Sequence, residues 1–291
     1  MNPVEKLVEL QSRKKSLLCV GLDIDPRKLP VGLGGSPKGM FTFLSRIIEA
    51  TSDLVIAYKP NLAFFEVLGA DGLSLMRHIC ERIPDDTLLI ADAKRGDIGN
   101  TSTYYAHALF KSLNADWVTV SPFMGYDSVK PFMDYRDRGT FVLCLTSNPG
   151  SADFQTLDVG GAPLYMRVVE KAREWNSANN LGLVVGATHP DQLGRIRAAA
   201  GSMPLLIPGI GAQGGALEKA AVDGTAHFTL PAIINVSRSV LYASEGADYA
   251  QAARDNVLKM RQQIDALRPG AVVPSSAPSE PTHVDAEPTG A

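Results

Sequence analysis

The chain has 291 residues, 45% of them hydrophobic, enough to bury a large core as one barrel or as two smaller domains. Its 28 basic and 31 acidic residues leave a formal net charge of -3, which excludes a global electrostatic pull toward nucleic acid or anionic lipid. Three scattered cysteines, Cys19, Cys80 and Cys144, with no CxxC pair, exclude a disulfide framework and suit a reducing cytoplasm.

From the N-terminus, Glu5, Lys6, Glu9, Arg13, Lys14 and Lys15 interrupt any apolar core, which argues against a signal peptide or anchor. No later stretch approaches the roughly 18 apolar residues of a membrane span. Short apolar runs rich in β-branched residues then alternate with longer amphipathic stretches, the pattern of repeated βα units around a parallel sheet. Eight runs are predicted strands: Leu17 to Leu22, Leu54 to Tyr58, Leu88 to Asp92, Trp117 to Ser121, Phe141 to Leu145, Gly182 to Gly186, Leu205 to Pro208, and Ile233 to Ser237. Helical spacing connects them, for example in Phe41 to Ala50 and in Leu62 to Arg82, the latter interrupted near Gly69 and Gly72. Eight strand-helix units whose strands end in polar residues or glycine predict an α/β fold, a single (β/α)8 TIM barrel over residues 1–267 with its site at the C-terminal rim. An open doubly wound sheet is the alternative. Pro149 to Pro163 is longer than a usual βα loop, as lids often are. Residues 268–291, dense in Pro, Ser, Ala and Glu, read as a disordered tail.

The segment Leu89-Ile90-Ala91-Asp92-Ala93-Lys94-Arg95-Gly96-Asp97-Ile98-Gly99-Asn100-Thr101 places charges where the third strand should end. Residues two apart in a strand share a face, so Asp92 and Lys94 are expected to point together, with small alanines between them. Gly96 allows a turn that brings Asp97 near the start of the next helix, where a carboxylate is favoured. A salt bridge closing the rim would explain the residue types, but two acids flanking a lysine are an expensive structural device. At about 4 Å and an effective dielectric near 20, each carboxylate stabilises an ammonium by on the order of 4 kcal/mol before desolvation. The lysine should therefore stay protonated, which disfavours Schiff-base chemistry and favours a general acid. A fixed carboxylate would repel a substrate carboxylate, and loss of carbon dioxide would relieve that repulsion while the ammonium quenches the carbanion.

The run Asp92-x-Lys94-x-x-Asp97, with Ile98 and Thr101, resembles the signature of orotidine 5'-phosphate decarboxylases, in the longer bacterial form. The resemblance implies a cofactor-free enzyme that converts orotidine 5'-monophosphate (OMP) to uridine 5'-monophosphate (UMP) in pyrimidine biosynthesis. It implies that Lys94 protonates the ring carbon C6, that Asp92 crowds the departing carboxylate, and that Asp97 and Thr101 reach the site of the partner subunit in a homodimer. It also gives roles to other strand ends: Asp23 holding the ribose hydroxyls, Lys59 bridging ribose and the central acids, and Ser147, in preference to Thr146, bonding the pyrimidine. Turn or capping roles are the alternatives for Asp23 and the hydroxyl residues, and a solvated side chain for Lys59.

Gly209-Ile210-Gly211-Ala212-Gln213-Gly214 follows the seventh predicted strand. As a bare pattern it is GxGxxG and admits a dinucleotide fold. Its place late in the chain, without a strand-ending acid about 20 residues on, favours instead the phosphate site that barrels build after strands seven and eight. Gly209, Gly211 and Gly214 would form the loop, and the resemblance makes Gln213 and Arg238 phosphate ligands. The family usually has glycine before that arginine, where this chain has Ser237. His78, His107, His189, His227 and His283 show no paired ligand spacing, so no metal is assigned; Trp117 and Trp175 are expected to pack, and no nucleic acid polymer or membrane is expected as partner. Two rival readings are a magnesium-dependent phosphate-binding barrel acting on sugar phosphates and a catalytically silent barrel.

Overall fold

The computed structural model describes residues 1–30, 32–210 and 214–269. Asn2 caps the first helix by accepting from Val4 N–H, Glu5 completes the capping box and Pro3 opens α1 (Pro3–Lys14). Then follow β1 (Leu18–Gly21), α2 (Pro37–Thr51), β2 (Ala57–Lys59), α3 (Ala63–Glu66), α4 (Gly69–Cys80), β3 (Leu88–Arg95), α5 (Gly99–His107), β4 (Trp117–Val120), α6 (Tyr126–Met133) and β5 (Gly139–Leu145). The second half adds α7 (Leu164–Trp175), β6 (Leu181–Val185), α8 (Pro190–Ala200), β7 (Leu205–Pro208), α9 (Gly214–Val222), β8 (Ala232–Val236), α10 (Arg238–Leu241) and α11 (Tyr249–Ala266). The strands pair in chain order and β8 returns to β1, all parallel, giving a closed barrel. Closure excludes the open doubly wound sheet.

Each predicted strand is present, with ends shifted by three residues at most. Strands buried on both faces need continuous apolar runs, which is why their signal was strong. The predicted helix over Leu62 to Arg82 breaks at Gly69, which sits at φ 63°. Gly72 does not interrupt it: it lies within α4, and a Cβ there would come within 1.9 Å of the Phe65 carbonyl oxygen. The tail beyond residue 269 lies outside the described residues, as do Gly211 and Gln213.

The barrel interior is filled by Cys19, Ala57, Ile90, Trp117, Phe141 and Ile233, among others, and Val4, Leu7 and Leu10 of α1 seal its lower end. Trp117 and Phe141 stack with centroids 4.4 Å apart. Two such rings fit because their neighbours are glycines: a Cβ on Gly139 would lie 2.1 Å from the Trp117 ring and one on Gly182 2.6 Å from Phe141. Gly139→Ala is therefore expected to destabilise the fold by about 1–3 kcal/mol through overpacking, read as a lower denaturant midpoint. Because the clash lies at the far end of the barrel from the rim, KM should not change.

Above this layer the inward-facing positions turn polar. Counting by two from Ala57, Ile90, Trp117 and Ile233 reaches Lys59, Asp92, Thr119 and Asn235. The same alternation that packs the core lifts four polar side chains into the mouth.

Candidate active site

Asp92 is the hub of that polar layer. Its Oδ2 accepts from Lys59 Nζ at 2.7 Å, and its Oδ1 accepts from Lys94 Nζ at 2.5 Å and from Thr119 Oγ1 at 3.0 Å. Lys59 is 3% exposed and Asp92 8%, so both charges are largely removed from water and each depends on the other. Burial alone would raise the Asp92 carboxyl, but Lys59 and Lys94 outweigh it and hold the group down at about 2. Burial likewise opposes the Lys59 ammonium, yet the charges of Asp92 and Asp23 and the bond to Asp92 leave its pKa raised. The side chain of Lys94 is 47% exposed, so its pairing with Asp92 forms the solvent side of the cluster.

Simple alternation does not account for the Asp92–Lys94 contact. β3 and β4 lose register between Ala91 and Arg95, and Lys94 adopts φ 46°, a left-handed conformation that costs a non-glycine residue about 1–2 kcal/mol. Residue type carries no such signal, so the strand pattern brought the right two residues together for an incomplete reason. Beyond the bulge, Arg95 is anchored by an ion pair to Glu66 of α3 and lies over the Tyr105 ring.

Asp97 does not join this cluster within the chain. Its Oδ1 accepts from the Ile98 amide at 2.8 Å, and it makes no ion pair among the described residues. Within a single chain the ammonium of Lys94 therefore meets one carboxylate, not two. Thr101, on the first turn of α5, is exposed. Around these two residues the surface carries exposed Ile98, Tyr104, Phe123, Met124 and Tyr126.

A cavity of about 270 Å³ opens above the hub, bounded by Asp23, Lys59 and Asp92 on one side and by Gly209, Ser237 and Arg238 on the other. Asp25 performs the capping role open to either aspartate, accepting from Arg27 N–H and pairing with its guanidinium. Asp23 has no such duty: its Oδ1 is buried without a hydrogen-bond partner among the described residues. A buried acceptor without a partner is costly unless something is meant to fill it. Gly209 holds φ 95°, which favours glycine, and Arg238 makes no ion pair among the described residues. Gly214 begins α9. Gly21 leaves the space that Ser237 occupies, since a Cβ on it would stand 2.0 Å from Ser237 Oγ.

At the fifth strand the two hydroxyls separate. Thr146 is tied to Asn148 and to Gln155, which holds the following excursion against the barrel. Ser147 instead lies against the glycine loop after β7, its Oγ 3.6 Å from where a Cβ on Gly209 would be. The excursion is folded: Val159 N–H bonds Ala162, and Arg167 holds the carbonyls of Val159 and Gly160.

Among the described residues, no group of three His, Cys, Asp or Glu side chains could hold a metal ion, and no helix is long and apolar enough to cross a membrane. Thr119 and Asn235 are site residues that motif reading passed over; counting by two from Trp117 and Ile233 would have found both.

Comparison with known proteins agrees with this geometry. Residues 16–254 match the model of the orotidine 5'-phosphate decarboxylase / HUMPS family. The chain is 48% identical over 272 residues to the orotidine 5'-phosphate decarboxylase of Cupriavidus necator, covering 93% of this chain and 100% of that one. It is 49% identical over 268 residues to that of Roseiflexus castenholzii, covering 91% and 98%. Among solved structures, the OMP decarboxylase of Leishmania donovani superposes with a TM-score of 0.78 at 41% identity, covering 90% of this chain and 99% of that one.

Proposed function

Since the chain belongs to the orotidine 5'-phosphate decarboxylase / HUMPS family, we propose that it converts OMP to UMP and carbon dioxide in pyrimidine biosynthesis, with Lys94 as proton donor. The observation that carries this reading is the Lys59–Asp92–Lys94 network, in which the buried Lys59 and Asp92 line an open cavity and the half-exposed Lys94 brings its ammonium to Asp92. The substrate carboxylate would stand against Asp92, whose charge is held on at about 2 and cannot be relieved by protonation near neutrality. Breaking the bond between C6 and the carboxylate leaves the electron pair on C6 and releases carbon dioxide. The Lys94 ammonium stabilises that pair and gives it a proton, and solvent returns one to the amine.

The remaining roles follow from position. Asp23, with its unpartnered oxygen, would take the ribose hydroxyls beside Lys59, and Ser147 the pyrimidine. Gly209, Gly211, Gln213, Gly214 and Arg238 would hold the phosphate. Asp97 and Thr101 would complete a second subunit's site in a homodimer, a reading supported by the apolar side chains exposed around them. A cytoplasmic location suits a small-molecule enzyme of this pathway.

The phosphate is distant from the reacting carbon, and its binding energy can be used to force the strained carboxylate contact. Losing one charge-assisted partner should cost about 1.5–3 kcal/mol, so Arg238→Ala is expected to raise KM for OMP by about tenfold to a hundredfold, measured by steady-state kinetics. The function itself is tested by following the ultraviolet absorbance of OMP with and without a chelator. Turnover that persists with chelator supports the reading; no turnover, or turnover that the chelator abolishes, contradicts it.

A further inference from the structure

The loss of register between β3 and β4 sets three residues against one. Ala91 pairs with Val118 and Arg95 with Val120, so Asp92, Ala93 and Lys94 all face the single residue Thr119. A bulge of this kind removes backbone groups from the ladder and leaves them in need of another partner. The Lys94 amide is one of them, and Thr119 Oγ1 accepts its hydrogen bond at 3.0 Å. The same hydroxyl donates to Asp92 Oδ1 at 3.0 Å, the oxygen that also receives the Lys94 ammonium. One hydroxyl thus uses its lone pair on the backbone of Lys94 and its proton on the carboxylate that holds the side chain of Lys94. Because Thr119 is 1% exposed, water does not compete for either bond.

We infer that Thr119 is a positioning residue that fixes where the proton donor stands. A lysine side chain has four flexible carbons and does not hold an ammonium in place by itself. Here the backbone end and the charged end of Lys94 are tied to the same two neighbours, Thr119 and Asp92, which closes a ring through the bulge. The left-handed backbone of Lys94 persists because its amide has this acceptor. The kinetic consequence rests on the decarboxylase reading; the clamp is a matter of geometry and can be tested apart from it.

Two variants separate the hydroxyl from the packing. Thr119→Val keeps the branched shape inside the barrel and removes both hydrogen bonds, whereas Thr119→Ser keeps the hydroxyl and removes only the methyl group. Misplacement of a reacting group on the ångström scale costs up to about a hundredfold. Thr119→Val is accordingly expected to lower kcat on OMP by about tenfold to a hundredfold, with KM within about twofold. Thr119→Ser should restore kcat to within about threefold of the wild type. Hydrogen exchange should find the Lys94 amide protected in the wild type and in Thr119→Ser and unprotected in Thr119→Val. A wild-type kcat in Thr119→Val, an equal loss in both variants, or a rise in KM at constant kcat would each overturn the inference. Should Thr119→Val fail to fold, the exchange of the wild type and Thr119→Ser decides: protection in both supports the clamp, and exchange as fast as at exposed Gly96 overturns it. A wild type without OMP turnover would defeat the decarboxylase reading, and the exchange measurement would still decide on the clamp.

Discussion

Lys94→Ala is expected to lower kcat on OMP by on the order of 10⁴-fold or more, while the melting temperature moves by no more than roughly 3 °C. The two expectations have separate physical origins. In the proposed reaction the ammonium would both stabilise the carbanion and protonate it, and each contribution alone is worth two or more decades. Stability depends little on it, because its side chain is 47% exposed and its attraction to Asp92 is partly screened. Asp92 keeps Lys59 and Thr119 when Lys94 is gone. A kinetic assay beside a thermal melt reads both quantities; a variant that lost turnover only in step with its fold would contradict the assignment.

Asp92→Ala is expected to fail on both counts. It would leave the Lys59 ammonium, 3% exposed, buried without its only ion-pair partner among the described residues, and breaking such a pair costs about 3–5 kcal/mol. In a chain of this size that corresponds to a melting temperature lower by roughly 6–20 °C. The milder Asp92→Asn exposes the pH dependence. The Asp92 carboxyl lies at about 2 in the fold against an ordinary 3.8, so its ionised form contributes stability, about 2 kcal/mol, that is fully present above about pH 4 and lost as the pH falls toward 2. The raised Lys59 works in the opposite direction, contributing below the ordinary lysine value of 10.5 and losing that contribution as the pH climbs through its folded pKa. Wild type should therefore exceed Asp92→Asn in stability at neutral pH, and the gap should narrow between pH 4 and 2. A gap that stays constant over that window would contradict the ion network.

The barrel could be read from the chain because strands covered on both faces must be written as unbroken apolar runs, and none of the eight depends on a long-range accident. The charged cluster was legible for a similar reason: acids and lysines at a strand end have no packing role to hide behind. What escaped was set by backbone conformation and by neighbours distant in sequence. Nothing in the letters of Ala93-Lys94-Arg95 announces a left-handed lysine or a bulge, and without the bulge Thr119 is one more β-branched residue in a strand. Nothing in the sequence shows that Gly139, or Gly182 at the head of the sixth strand, makes room for the rings of Trp117 and Phe141. The sealing of the lower end by α1 was equally unread, since Val4, Leu7 and Leu10 are sparse among charges. Asp97 marks a different limit: its motif position suggests partnership with Lys94, yet among the described residues of one chain its side chain bonds only the neighbouring Ile98 amide, and its proposed duty lies in the site of a second subunit.

The proposed reaction depends on a cationic amine at the end of the residue 94 side chain, and chemical replacement of that amine tests it most directly. Lys94→Cys, alkylated with 2-bromoethylamine, regains an ammonium on a chain of nearly the same length. Cys19 and Cys144 are buried and Cys80 is half-buried, so wild type treated in parallel reports any effect of modification elsewhere. The expected result is an unmodified variant almost without OMP turnover and an alkylated one that recovers to within about a hundredfold of wild type. An unmodified cysteine variant with wild-type turnover, or an alkylated one that stays inert while still binding UMP, would contradict the role assigned to Lys94.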